Sequence, residues 1–202
     1  MLNSKATGWS LTMGFVTLVI LMGASMVPGN QETKADEIAW LIANEDMQWL
    51  GLVEMVGGLT MLVFTAGMIS WIRSIDESNA PLTYASYLPL LGLVLSWVGI
   101  ISSSAAANTA ADNADAAYAL LRLGDIGGFL GIVMMMLSFF IVGTVSYLKK
   151  SGTPVLMGLL GLAGIVGTVG VFIPAFGFVA FMLLFPVNLI LVALIGIQKI
   201  RA

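Results

Sequence analysis

The chain has 202 residues, of which 59% are hydrophobic and 9% charged, and its mean hydropathy is +1.01. A soluble domain carries about a quarter charged residues, so this composition excludes a free aqueous domain and selects several spans joined by short loops. The net charge of −3 offers nothing to nucleic acid, and the absence of Cys and His removes disulfides, thiol or imidazole metal and haem sites, and Ser-His or Cys-His nucleophiles.

The first apolar stretch, 9–28, follows Lys5. A secretory signal also starts with a basic residue, and Ala24-Ser25 would suit its cleavage site. The apolar run from Leu11 to Val27 is long for a signal core, so a retained span is expected. The next spans are expected at 49–72, 83–105, 126–148, 154–174 and 177–198, each near the ~20 residues needed to cross about 30 Å of hydrocarbon.

Two longer connections interrupt them. The segment 29–48 mixes Ile38, Leu41 and Ile42 with Asp36, Glu37, Glu45 and Asp46. The segment 106–124 mixes Ala116, Ala117, Leu120 and Leu121 with Asp112, Asp115 and Arg122. Both patterns predict short amphipathic helices lying on the outer surface of the bundle, with plain linkers as the alternative. Each connection leads into a similar motif, Glu54 before Gly57-Gly58 and Asp125 before Gly127-Gly128, about 70 residues apart. That spacing suggests a parallel repeat, 9–72 and 83–148, followed by a hairpin at 154–198.

Lys and Arg set the expected orientation. With the N-terminus in the cytoplasm, Lys5, Arg73, Lys149, Lys150, Lys199 and Arg201 lie inside, and only Lys34 and Arg122 lie outside. Both termini then face the cytoplasm. Trp9, Trp49, Trp71, Tyr84, Tyr87 and Tyr147 stand near span ends, where an interfacial aromatic belt is expected.

Polar residues inside spans are the candidates for function. Glu54 stands about 8 Å along the second span. A carboxylate at that depth requires a partner, a proton or water. Arg122, with Asp125 beside it, is the expected partner. The cluster serves either as a structural ion pair or as a site for an ion, proton or small solute. Asn188 lies near the middle of the sixth span, two residues after Pro186, which removes a backbone donor. It is expected to bond a carbonyl one turn earlier or a facing helix. Pro89 and Ser138 receive the same interhelical reading. The fifth span carries Gly158, Gly161, Gly164, Gly167 and Gly170. They are expected to let helices approach closely within the bundle, with a partner subunit as the alternative neighbour. Three consecutive residues point three ways from a helix, so Met134-Met135-Met136 reads as packing rather than as a metal site. No Walker loop, nucleophile elbow or metal motif is present.

The chain resembles the DUF4386-type family of six-span bacterial membrane proteins. The likeness rests on Val27-Pro28-Gly29, the run from Ala39 to Asn44, Leu50-Gly51 with Glu54 and Gly57, and Tyr147-Leu148-Lys149-Lys150-Ser151-Gly152 followed by Pro154 to Gly164. The fourth span departs from it, with Asp125-Ile126-Gly127-Gly128 in a region where that family often carries His. The resemblance implies a fold and a topology, and it implies no activity.

The resulting expectation is an all-α, six-helix membrane bundle in the cytoplasmic membrane, with two outer amphipathic helices and no cofactor. A non-catalytic scaffold or accessory subunit is expected, in contact with lipid and with other membrane subunits or a second copy of itself. The alternative is a binder or transporter of a small solute or lipid, with an outward cavity lined by Glu54, Arg122, Asp125 and Asn188. A membrane enzyme comes third, for want of an activated nucleophile.

Overall fold

A computed structural model describes residues 2–25, 33–43, 48–173, 176–177 and 180–201. Among these there is no strand. The helices are α1 (Ser4–Ser25), α2 (Lys34–Ala43), α3 (Gln48–Ile75), α4 (Ala80–Thr109), α5 (Ala114–Leu148), α6 (Pro154–Gly170) and α7 (Phe185–Arg201), with a π-helical turn, Ala180–Leu184, leading into α7. Among the described residues, four segments are long and apolar enough to cross a membrane: Met55–Ile75, Ala80–Thr109, Ala114–Leu148 and Met182–Arg201. Pro154–Gly170 is apolar but shorter.

The six long helices close into a ring. α1 packs on α3 and α7, α3 on α4, α4 on α5, α5 on α6, and α6 on α7. The middle of the ring is filled: Phe64, Met68, Met136, Phe139, Leu189 and Val192 are each at most 2% exposed and belong to one continuous core. Phe64 and Phe139 meet there with ring centroids 6.5 Å apart. Large apolar side chains such as Leu59, Ile101, Leu162 and Val169 point outward from the ring, the reverse of a soluble protein's surface pattern.

Small residues set the seams. A Cβ on Gly127 of α5 would stand 2.9 Å from Leu95 O and 3.0 Å from Gly99 N of α4. One on Gly164 of α6 would stand 2.8 Å from Phe140 Cα of α5, and one on Gly8 of α1 2.6 Å from Gly196 O of α7. Helices come this close only where no side chain intervenes. The fifth-span glycines therefore serve an intramolecular face. Gly161 meets Thr144, Gly164 meets Phe140 and Gly167 meets Met136, while Gly158 stands at ordinary distance from Tyr147. Gly170 is buried.

The second outer helix expected within 106–124 does not exist as a separate element. That stretch continues α4 to Thr109, turns at 110–113, and starts α5 at Ala114. Asn113 makes the turn possible, its side chain accepting from Ala116 N at 3.0 Å to cap α5. At 1.5 Å per residue α4 and α5 run about 45 and 52 Å, well beyond about 30 Å of hydrocarbon. The periodicity that marked a surface helix belongs to these projecting turns. The first outer helix is present as α2. It buries Ile38 and Leu41 against Ala106, Ala110 and Ala117 of the α4–α5 extension.

The sequence also reads Trp71 as a belt residue and Gly57, Gly58, Gly127 and Gly128 as helix-packing positions, and the structure changes this at Trp71 and Gly128. Trp71 is 3% exposed and sits in the core rather than in a belt, whereas Trp9, Tyr84 and Tyr147 are more than half exposed. Gly128 turns its backbone to Gly99, but a Cβ there would meet nothing within 4 Å, so it is not a close-approach position like Gly127.

Candidate functional site

The projecting ends of α4 and α5 carry the densest charge cluster among the described residues. On α5, Asp115, Tyr118, Arg122 and Asp125 recur at helical spacing and form one stripe. On α2, Lys34 and Glu37 lie one turn apart. Lys34 pairs with Asp115 and stands 5.0 Å from the centre of the Tyr118 ring. Arg122 Nη2 donates to Glu37 Oε1 and Oε2 at 2.8 and 2.7 Å. Its Nη1 donates to Asp125 Oδ2 at 2.7 Å, and the guanidinium lies 4.7 Å from the Tyr118 centroid. Tyr118 is thus a ring between two cations, each of which holds an acid. The pairs clamp α2 over the α4–α5 extension.

Arg122 and Asp125 do come together, as the sequence predicts. The second acid on Arg122 is Glu37, however, which the sequence marks only as part of the polar side of its helix. The signal was present as complementary order, Lys34 then Glu37 on one helix and Asp115 then Arg122 on the other. Glu54 lies on α3, and its side chain is outside the described residues.

Asn188 stands apart from this cluster. It is fully buried in the ring, and its Nδ2 donates to Leu184 O at 2.9 Å. That carbonyl is one turn earlier, as expected, and it ends the π-helical turn beside Pro186. Asn188 Oδ1 has no hydrogen-bond partner among the described residues. Ser138 has a more telling partner. Pro89 has no N–H, so Ala85 O on α4 loses its intrahelical donor. Ser138 of α5 supplies one from the neighbouring helix at 2.9 Å.

The opposite end of the molecule holds a second set of contacts. Lys149 pairs with Asp76 in the turn between α3 and α4. The Lys149 ammonium, with the Ser78 hydroxyl and amide, holds the Asp76 carboxyl down to about 2. Arg73 lies 5.7 Å from the Tyr87 ring centre. Lys34 and Arg122 therefore gather at one end of the ring, with Arg73 and Lys149 at the other.

Three surface cavities accompany these ends. One, of about 300 Å³, is an apolar cleft between α3 and α4 where Met55, Leu59, Trp97 and Ile101 flank Gly58. A second, of about 350 Å³, lies by Arg73, Asp76 and Tyr87. The third, of about 360 Å³, lies where α1 starts and where α3 and α7 end. Arg122, Asp125 and Asn188 line none of the three.

An all-helical ring with four helices fit to span a bilayer is of the multi-pass membrane class. No family model matches the chain, and neither a curated protein nor a solved structure matches it significantly.

Proposed function

We propose that the chain is a six-span, non-catalytic protein of the cytoplasmic membrane, with both termini inside, that acts as a scaffold or accessory subunit among other membrane components. In this reading α1 and α6 join the four longer segments as spans. The pairs α1/α3 and α4/α5 form the parallel repeat, and α6/α7 form the added hairpin. The layout is that of the DUF4386-type proteins the sequence resembles.

One observation carries the reading: the centre of the helical ring is filled by Phe64, Met68, Met136, Phe139, Leu189 and Val192. A carrier alternates access around a central polar site. Here the centre is predominantly apolar, its buried Asn188 and Ser138 donating to the backbone carbonyls of Leu184 and Ala85, and the cations nearest the expected outer site are engaged by Glu37, Asp115 and Asp125. The outward apolar faces are what remain for partners. The test is reconstitution in liposomes with entrapped reporters for protons, alkali cations and small organic solutes. A scaffold gives the leak of empty liposomes for every reporter. Protein-dependent flux that is abolished by Glu54→Gln would replace this reading with the transport one.

A further inference from the structure

The cavity at the end where α1 starts differs from the other two in what its walls leave free. Its floor is apolar and deep: Trp71, Met157 and Ile195 are each at most 3% exposed. Its rim is polar and carries Ser4, Gln198 and Lys199, with no acidic side chain. Ser4 Oγ donates to the backbone carbonyl of Lys199 at 3.3 Å, fixing the last turn of α7 beside the first turn of α1. Thr153 Oγ1 donates to Gln198 Oε1 at 3.2 Å. The Gln198 carboxamide oxygen is thus turned to Thr153, and its NH2 group remains as a donor. Lys199 is partly buried, and among the described residues it has no ion-pair partner. The acid that lies closest in the chain to this rim, Asp76 after Ile75, is taken by Lys149.

A partly buried ammonium beside an amide NH2 donor is suited to an oxyanion. The apolar floor is not needed by a free ion, but it fits the glyceryl and upper acyl part of a lipid. The cavity also stands at the right level, because Ile75 and Lys199 lie at the ends of two segments fit to span a bilayer. We propose that this cavity binds the phosphate of an anionic lipid headgroup, with Lys199 and Gln198 on the phosphate oxygens and Trp71, Met157 and Ile195 under the apolar part. The chain has no basic run of the kind that marks lipid anchors. The site is made by folding, which brings residues 4, 71, 157 and 199 together.

The test uses the full chain purified in a neutral detergent. Binding is measured for dioctanoyl phosphatidylglycerol, dioctanoyl phosphatidylcholine and inorganic phosphate, by equilibrium titration and by the shift in thermal midpoint. The native protein is expected to bind the anionic lipid at least tenfold more tightly than either other probe. Lys199→Gln is expected to lose at least tenfold in affinity for it, Lys199→Arg to keep most of the affinity, and Lys150→Gln, a charge-matched change at an exposed turn, to be unaffected. Equal binding of the anionic lipid to native protein and Lys199→Gln overturns the proposal. So does an equal loss from Lys150→Gln, which would mark a diffuse surface attraction. Inorganic phosphate binding as tightly as the lipid overturns the lipid assignment. If Lys199→Gln does not fold, Gln198→Leu takes its place, with the same tenfold loss expected and unchanged binding overturning the site. None of these outcomes depends on the flux measurement, so the two readings fail separately.

Discussion

At the scale of single residues, the clearest piece of chemistry is the carbonyl that Pro89 strips of its donor and Ser138 recovers from the next helix. Removing the hydroxyl leaves a buried acceptor without a partner, which costs about 1–3 kcal/mol. Ser138→Ala should lower the thermal midpoint. In a Pro89→Ala background, where residue 89 regains an N–H for Ala85 O, the same change should cost much less. A double-mutant cycle in detergent measures this, and additive costs would show that the two positions are not coupled. Both residues stand out in the sequence, but as separate instances of interhelical glue. Their pairing was not legible, because residues 85 and 138 meet only once α4 and α5 are aligned. The glycines tell the same story. Gly127 and Gly128 are neighbours in one motif, yet only on Gly127 would a Cβ run into the backbone of α4. Gly127→Ala should destabilise by about 1–3 kcal/mol through overpacking. Gly128→Ala should be neutral, or stabilising by up to about 1 kcal/mol from helix propensity. Thermal unfolding of the two variants side by side decides it, and equal effects would mean the seam is not where the structure puts it.

At the scale of elements, α2 is, among the described residues, the one helix outside the ring, held by an apolar face and by charge. Ile38 and Leu41 supply the first, and the pairs Lys34–Asp115 and Glu37–Arg122 the second. These pairs lie in solvent-exposed positions, Asp115 most of all, so their charge adds little to global stability and is screened by salt. Glu37→Gln should leave the global thermal midpoint nearly unchanged and increase proteolysis or hydrogen exchange within 34–43. High salt should have the same effect on the native protein. Exchange in α2 that ignores both changes would show that the apolar face alone holds it. The amphipathic pattern of 29–48 was sufficient to find α2. The similar pattern in 106–124 misled, because helix period cannot distinguish a separate surface helix from the projecting turns of a long span. The Asn113 cap and helix lengths greater than the membrane core resolve it. At the other end, the Lys149–Asp76 pair ties the α3–α4 turn to the end of α5. The folded-state pKa of Asp76 is lowered from 3.8 to about 2. Its contribution is therefore complete above about pH 4 and is lost as pH falls toward 2. The stability difference between native protein and Asp76→Asn should shrink across that window and be flat above it. Pairs of denaturation curves from pH 6 to 2 test this, and a difference that grows on acidification would contradict the pairing.

At the scale of the whole molecule, composition alone placed the chain in a membrane, and the helical ring agrees with that class. The approximate location of all six long helices was legible from apolar runs, since ~20 uncharged residues leave few other options. The order of helices around the ring was not legible, because it depends on which glycine faces which neighbour. The distribution of cations was legible as a count and gains a physical form in the fold: Lys34 and Arg122 share one end, while Arg73, Lys149 and Lys199 lie toward the other. The central claim is that the ring threads the bilayer with its chain ends and the α5–α6 turn on the cytoplasmic side. The chain has no native Cys, so single-cysteine labelling reads this directly. Lys5→Cys, Lys150→Cys, Arg201→Cys, Lys34→Cys and Asp112→Cys would each be exposed to a membrane-impermeant maleimide in intact cells and after permeabilisation. The account predicts labelling of positions 34 and 112 from outside, and of positions 5, 150 and 201 only once the membrane is opened. Positions 5 and 201 on opposite sides, or position 150 labelled in intact cells, would contradict it.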